Sequence, residues 1–245
     1  MSTSTAVPDS AGLALWFSAW VTGSTSLDDA RDAVVGSDAA HHVADMPGES
    51  DPVPLILAFG LLRSAGATGA GIALPVPGDP LGLAGPSGFN AHALEAAEGV
   101  VFGGVDIGLV PHRAGAGVVW RYHEAWSSRQ VPDPSEADTG LRQAVLTAAN
   151  TLADLDVARW RPEVADELMA LRRTSDFQLP HGMAPRAVKL VSMGTRCRAI
   201  VDLALEDDGA ATSAHEAELR RRALAPLDHA ARRGLVAACS FPWDR

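Results

Sequence analysis

Five polar side chains around one glycine- and proline-rich stretch offer the clearest place for chemistry in this chain. The stretch runs from Gly71 to Gly104, GIALPVPGDPLGLAGPSGFNAHALEAAEGVVFGG, and reads as a strand, a loop, a helix and a second strand. Asp79, Ser87 and Asn90 fall in the loop and at the start of the helix, and His112 with Arg113 follow the second strand. A helix N-terminus carries unpaired N–H groups and a partial positive charge, so it attracts a carboxylate or phosphate. Gly85 and Gly88 would let such a group approach the backbone. Asp79, Ser87, Asn90, His112 and Arg113 are therefore the predicted ligand-binding set, and the ligand they suit is an anionic small molecule. The loop matches neither G-x-x-x-x-G-K-[ST] nor a G-x-G-x-x-G after a strand, so both nucleotide-binding motifs are absent. The competing reading makes the loop a packed lid, with Asp79 in a local Asx-type turn.

Other constellations are less complete. Asp38-Ala-Ala-His41-His42-Val-Ala-Asp45, read as helix, sets Asp38 four residues from His42 and His41 four from Asp45, a conceivable imidazole–carboxylate metal set. A solvated acidic face continuing through Glu49 and Asp51 accounts for the same residues without an ion. Asp106 and His123 are expected to face each other across a hairpin, as an acid–base pair or as an ordinary cross-strand ion pair. The second is simpler, because no nucleophile accompanies them. Ser87 does not supply one, since Pro86 precedes it and Phe89 stands where G-x-S-x-G needs its second glycine. His92 and Glu95 lie i, i+3 on one helix with no further ligands. No catalytic residue and no metal ligand is predicted, and no cofactor follows from the residues.

Stepping outward to the elements, Leu13, Trp16, Phe17 and Trp20 recur at the spacing of one helical face, and Gly23 stops that helix. Ser26 with Asp29 resembles a capping pair opening a second helix through Val35. Leu55–Arg63 reads as an apolar helix behind Pro52 and Pro54. Ile72–Val76 is the first strand of the opening stretch, Ser87 or Asn90 caps the helix Ala91–Glu98, and Gly99 ends it. A second strand from Val100 extends through Val110. That strand–helix–strand unit suits a right-handed crossover between parallel neighbours, which would bring the loop and His112–Arg113 to one sheet edge. A hairpin centred on Arg113–Ala116 pairs Leu109 with Trp120, Ile107 with Tyr122 and Pro111 with Val118 on the core face. It sets Asp106 opposite His123 on the other.

Ser127–Asp138 is a polar linker with two prolines. Beyond it helices are expected over Ser135–Leu155, Arg161–Arg173 and Pro185–Glu206. A last helix opens at the Ser213-Ala-His-Glu216 capping box, and Pro226 should kink or split it. Long helices joined by a short turn make an antiparallel hairpin. The expected fold is α+β: a small mixed sheet, strand–helix–strand plus hairpin, wrapped by N-terminal helices and followed by a helical C-terminal region. The expected regions are 10–126 and 135–240.

Composition narrows the classes. With 245 residues, 47% hydrophobic and 20% charged, the chain has the make-up of a folded globular protein with a sizeable core. Its 20 Lys+Arg against 30 Asp+Glu leave a net charge of -10, which repels phosphate backbones. Nucleic acid is therefore not an expected partner, even though Arg220–Arg222 and Arg232–Arg233 give the last helix a basic side. The apolar runs Ala11–Val21 and Leu55–Leu62 are too short to span a membrane, and no basic leader precedes them, so a cytoplasmic location is expected. Cys197 and Cys239 lack metal-ligand spacing and read as buried reduced thiols.

The segments LALWFSAWVTG, ALPVPGDPLGLAGPSGFN and IVDLALEDDG together resemble a family of uncharacterised bacterial proteins from G+C-rich, actinobacterial-type genomes. The resemblance spans most of the chain and implies no activity, cofactor or fold. Two functions remain in view. One is a non-enzymatic interaction or regulatory protein that self-associates through its C-terminal helices. The other is a small-molecule-binding protein or enzyme that handles an anionic ligand at the Gly78–Asn90 loop.

Overall fold

The computed structural model describes residues 7–127, 129–154, 177–206 and 214–240. They group into two compact units. One holds the described residues of 7–131 and 178–184 with Cys239 and Ser240, and the other holds the described residues of 132–177 and 185–238.

The first unit begins with α1 (Asp9–Val21), whose residues Ser10 through Ala19 are all buried. A helix apolar on every side belongs in a core, and Phe17 meets Phe59 and Phe102 edge-on at 5.2 and 4.9 Å. In α2 (Leu27–Val35), Ser26 Oγ accepts from the Asp29 N–H at 3.0 Å and donates to its carboxylate at 2.6 Å, the expected capping pair. Then come β1 (His41–Ala44), β2 (Val53–Pro54), α3 (Leu55–Ser64), β3 (Gly69–Ala73), α4 (Ser87–Ala96), β4 (Gly99–Gly103), β5 (Ile107–Ala114) and β6 (Gly117–Glu124). The strands form one sheet in the order β2-β1-β6-β5-β4-β3. Only β1 and β6 run parallel, so the sheet is mixed and the class is α+β.

Helix α1 and α3 supply Phe17 and Phe59 to one sheet face. On the other, Phe89 and Ala93 of α4 pack with Val101, Val110 and Ala125. Gly108 is the floor under α4: a Cβ there would stand 2.6 Å from the Phe89 ring and 2.7 Å from Ala125.

β3 is an edge strand, and outward backbone groups of Ala70 and Ile72 find partners within the same unit. Ser18 Oγ of α1 accepts from the Ala70 N–H at 2.9 Å and donates to the Ala70 carbonyl at 3.3 Å. Arg129 donates to the Ile72 carbonyl at 2.8 Å, and the Leu74 N–H bonds the Leu81 carbonyl at 3.1 Å. An edge so occupied cannot recruit a foreign strand.

Several expectations are corrected. β3 starts three residues earlier than expected and runs antiparallel to β4, pairing Gly69 with Gly103 and Ala73 with Gly99. The expected long strand from Val100 to Val110 is two strands, broken at Gly104, whose φ of 85° favours glycine. α4 begins behind Pro86 with no side-chain cap from Ser87 or Asn90, and it ends at left-handed Ala97, not Gly99. The Asp38–Asp45 segment is not a helix, because His41–Ala44 pairs with β6. The hairpin turns at Gly115-Ala116, so Leu109 faces Tyr122, Pro111 faces Trp120 and His123 faces Gly108. Each partner has moved by two residues, a shift that preserves the faces but removes the Asp106–His123 pair. Asp106 instead accepts from the Ser127 N–H and hydroxyl.

The second unit contains α5 (Pro134–Asp154), α6 (Pro185–Glu206) and α7 (Ala214–Ala238). Asp133 caps α5 by accepting from the N–H groups of Ser135 and Glu136, so the linker ends sooner than its composition suggests. α6 has the expected bounds. A Cβ on Gly194 would lie 3.0 Å from Leu235, and one on Gly234 would lie 3.1 Å from Leu190. The two helices are therefore closely packed, and because Leu190 meets Gly234 while Arg198 lies 3.9 Å from Asp228, they run antiparallel. α7 runs through Pro226 without being split. The expected helix Arg161–Arg173 and the Ser213 capping box lie outside the described residues. Cys197 and Cys239 are buried and unbonded.

Candidate functional site

β5 decides where the predicted ligand set goes. It extends to Ala114, so His112 and Arg113 lie inside a strand rather than after it. Consecutive strand residues point to opposite faces, and these two cannot line one site. The α4 start is also displaced. Gly85 accepts from the Trp126 N–H, just after Ala125 bonds Asp106, and this places Ser87 at the edge where β5 begins. Arg113 stands near the other end of β5. Asp79 lies in a tight turn bridged to Val76, where the loop folds back beside β3. Asn90 sits on α4 with its Oδ1 buried and unpartnered, as is His112 Nε2. The structure thus gathers neither Ser87 with Arg113 nor His112 with Arg113.

Arg113 belongs to a different polar cluster in the first unit. Its Nη1 donates to both oxygens of Asp38 at 2.8 Å, and its Nη2 donates to Asp9 Oδ1 at 2.8 Å. Asp38 Oδ2 lies 2.9 Å from His41 Nε2, and Trp120 Nε1 lies 3.3 Å from His41 Nδ1. An indole N–H can only donate, so His41 Nδ1 is the acceptor and Nε2 carries the proton toward Asp38. Both ring nitrogens are occupied. Close by, Glu98 accepts from the Ser10 N–H at 2.8 Å and fills the N-terminus of α1 with the chain's own carboxylate.

The electrostatics separate the two aspartates. Burial pushes the Asp9 carboxyl above its ordinary value against the pull of Arg113 and His41, and the Asp38 charge adds to the rise. Burial also works to raise Asp38, but hydrogen bonds from His41 and Arg113, with the Arg113 charge, hold it below the ordinary value. Two carboxylates driven apart in this way are a familiar feature of acid–base sites. Here both are engaged by one guanidinium, and the imidazole has no nitrogen left for a substrate.

On the opposite face, His92 of α4 and His123 of β6 bring their rings to 4.6 Å. Burial, and then the neighbouring His92, push the His123 pKa down, with Asp45 pulling the other way. Elsewhere Arg129 is held by the Ile72 and Gly82 carbonyls and Ser240 Oγ, and burial pushes its pKa down to about 10.

Sequence reasoning named Arg113 but missed Asp9, Glu98, Trp120 and Arg129 as its equals. It singled out Asp38 and His41, yet on a helix and with other partners. The one signal that could have found the cluster is the strand alternation that puts His41, Arg113 and Trp120 on one face once β1 joins β6.

Comparison with known proteins divides the chain near residue 136. Residues 10–137 match the Rv1486c-like protein, N-terminal domain, and residues 135–236 match the Rv1486c-like protein, C-terminal domain. The uncharacterized protein Rv1486c of Mycobacterium tuberculosis (strain ATCC 25618 / H37Rv) is 27% identical over 238 residues, covering 78% of this chain and 81% of its own. No solved structure matches the chain. With both domains matched in order, the chain belongs to the Rv1486c-like family, an uncharacterised actinobacterial group.

Proposed function

We propose that this protein works by association rather than catalysis, as a non-enzymatic interaction or regulatory protein that self-associates through helical surfaces. The observation that carries this reading is an unpartnered apolar stripe: Leu57 and Leu61, one turn apart on α3, are 58% and 41% exposed. Fully burying a leucine contributes about 1.5–3 kcal/mol, so a copy seated on this stripe gains from each side chain. Leu146, 60% exposed, and Val145 leave a second apolar patch on α5, within the helical region where self-association is expected. The state of the Arg113 cluster agrees with this reading. Its catalytic residue types hold one another rather than an open position.

Light scattering on the full chain over a wide concentration range tests the proposal. The expected result is a mass above that of the monomer at high concentration. Leu57→Glu with Leu61→Glu should return it to the monomer, and Leu146→Glu separates the two patches. A monomeric wild type at every concentration overturns it.

A further inference from the structure

The facing imidazoles of His92 and His123 are not explained by the fold. His92 Nδ1 lies 2.8 Å from the Gly88 carbonyl, and a carbonyl only accepts. Nδ1 therefore carries the proton, and in the neutral ring Nε2 keeps its lone pair. A carbonyl fixing the far nitrogen of a histidine in this way is the usual support for a metal-ligating imidazole. In the neighbouring ring, His123 Nε2 is buried without a hydrogen-bond partner. An orphaned buried polar atom is uncommon and calls for an occupant. The two rings stand 4.6 Å apart with their planes 31° from each other, one anchored on α4 and the other on β6.

We propose that His92 and His123 form a two-imidazole site for a borderline divalent transition ion of the Ni(II), Cu(II), Zn(II) group. Imidazole suits these ions and not magnesium or calcium. Among the described residues no group of three or more His, Cys, Asp and Glu is gathered for a metal. The protein therefore supplies two ligands, and water completes the coordination. Asp45 acts on His123 only as a nearby charge, because its carboxylate holds Arg121 at 2.8 Å. A two-ligand site is open and exchangeable, suited to sensing or carrying an ion rather than to anchoring the fold.

Calorimetric titration of the full chain with nickel chloride tests the site. One saturable site is expected, weakened about tenfold or more in His92→Ala and in His123→Ala. His181→Ala, on an exposed histidine elsewhere, should leave it unchanged. His92 is exposed, so its removal leaves the core intact, and a thermal melt of each variant checks the fold. No saturable binding to the wild type overturns the proposal. So does wild-type affinity in either histidine variant.

Discussion

Ser18 shows how much one buried hydroxyl can hold. It is fully buried and serves both the N–H and the carbonyl of Ala70 on an edge strand. Ser18→Ala leaves both groups unpaired, and we expect a loss of about 1–3 kcal/mol, read as a lower denaturation midpoint with an unchanged m-value. Asp9 and Asp38 make a second residue-scale test, because their pKa values move in opposite directions. The raised Asp9 value means its contribution is full below the ordinary carboxylate pKa and is lost as pH rises through the folded value. The lowered Asp38 value means its contribution is present above the ordinary pKa and is lost as pH falls through the folded value. Thermal melts from acid to neutral pH should therefore show Asp9→Asn at or above wild type at neutral pH, since the amide can still accept from Arg113. Asp38→Asn should melt lower at neutral pH and converge with wild type in acid. The reverse order would remove the assignment of the two environments.

Glycines at the element scale separate helix propensity from packing. Gly60 in α3 and Gly140 in α5 have open space where a Cβ would stand. Gly60→Ala and Gly140→Ala should each stabilise by about 0.5–1 kcal/mol, because alanine loses less backbone entropy in a helix. Gly194→Val should destabilise by about 1–3 kcal/mol, since α7 already fills that space with Leu235 and the Ala231 carbonyl. Equal effects at all three sites, measured by urea denaturation, would contradict the close α6–α7 packing. The same scale explains which elements were legible. The Ser26 cap, the α6 bounds and the faces of β5 and β6 follow from local chemistry and periodicity. The β1 segment fits a helix locally because it holds two i, i+4 pairs, while its pairing with β6 lies more than 70 residues away.

At the scale of the molecule, the sheet unit is not a continuous stretch. Trp16 Nε1 donates to the Gln178 carbonyl at 3.1 Å, and Arg129 donates to Ser240 Oγ at 3.0 Å. Both distant segments group with Val7–Val131. A fragment ending at Val131 should consequently melt lower than the full chain even though it keeps all six strands, and an equal melting point would show these contacts to be dispensable. The amino-acid sequence by itself determined the α+β class, the first helix, the Ser26 cap and which hairpin residues share a face. These depend on spacings of two, three or four residues, which a single chain displays. Only the tertiary structure decided the direction of β3 against β4, the two-residue shift of the hairpin, and the partners of Arg113. Alternation repeats every two residues, so it is blind both to strand direction and to a shift of two. The Arg113–Asp9 pair joins positions 104 residues apart, which no local spacing can record.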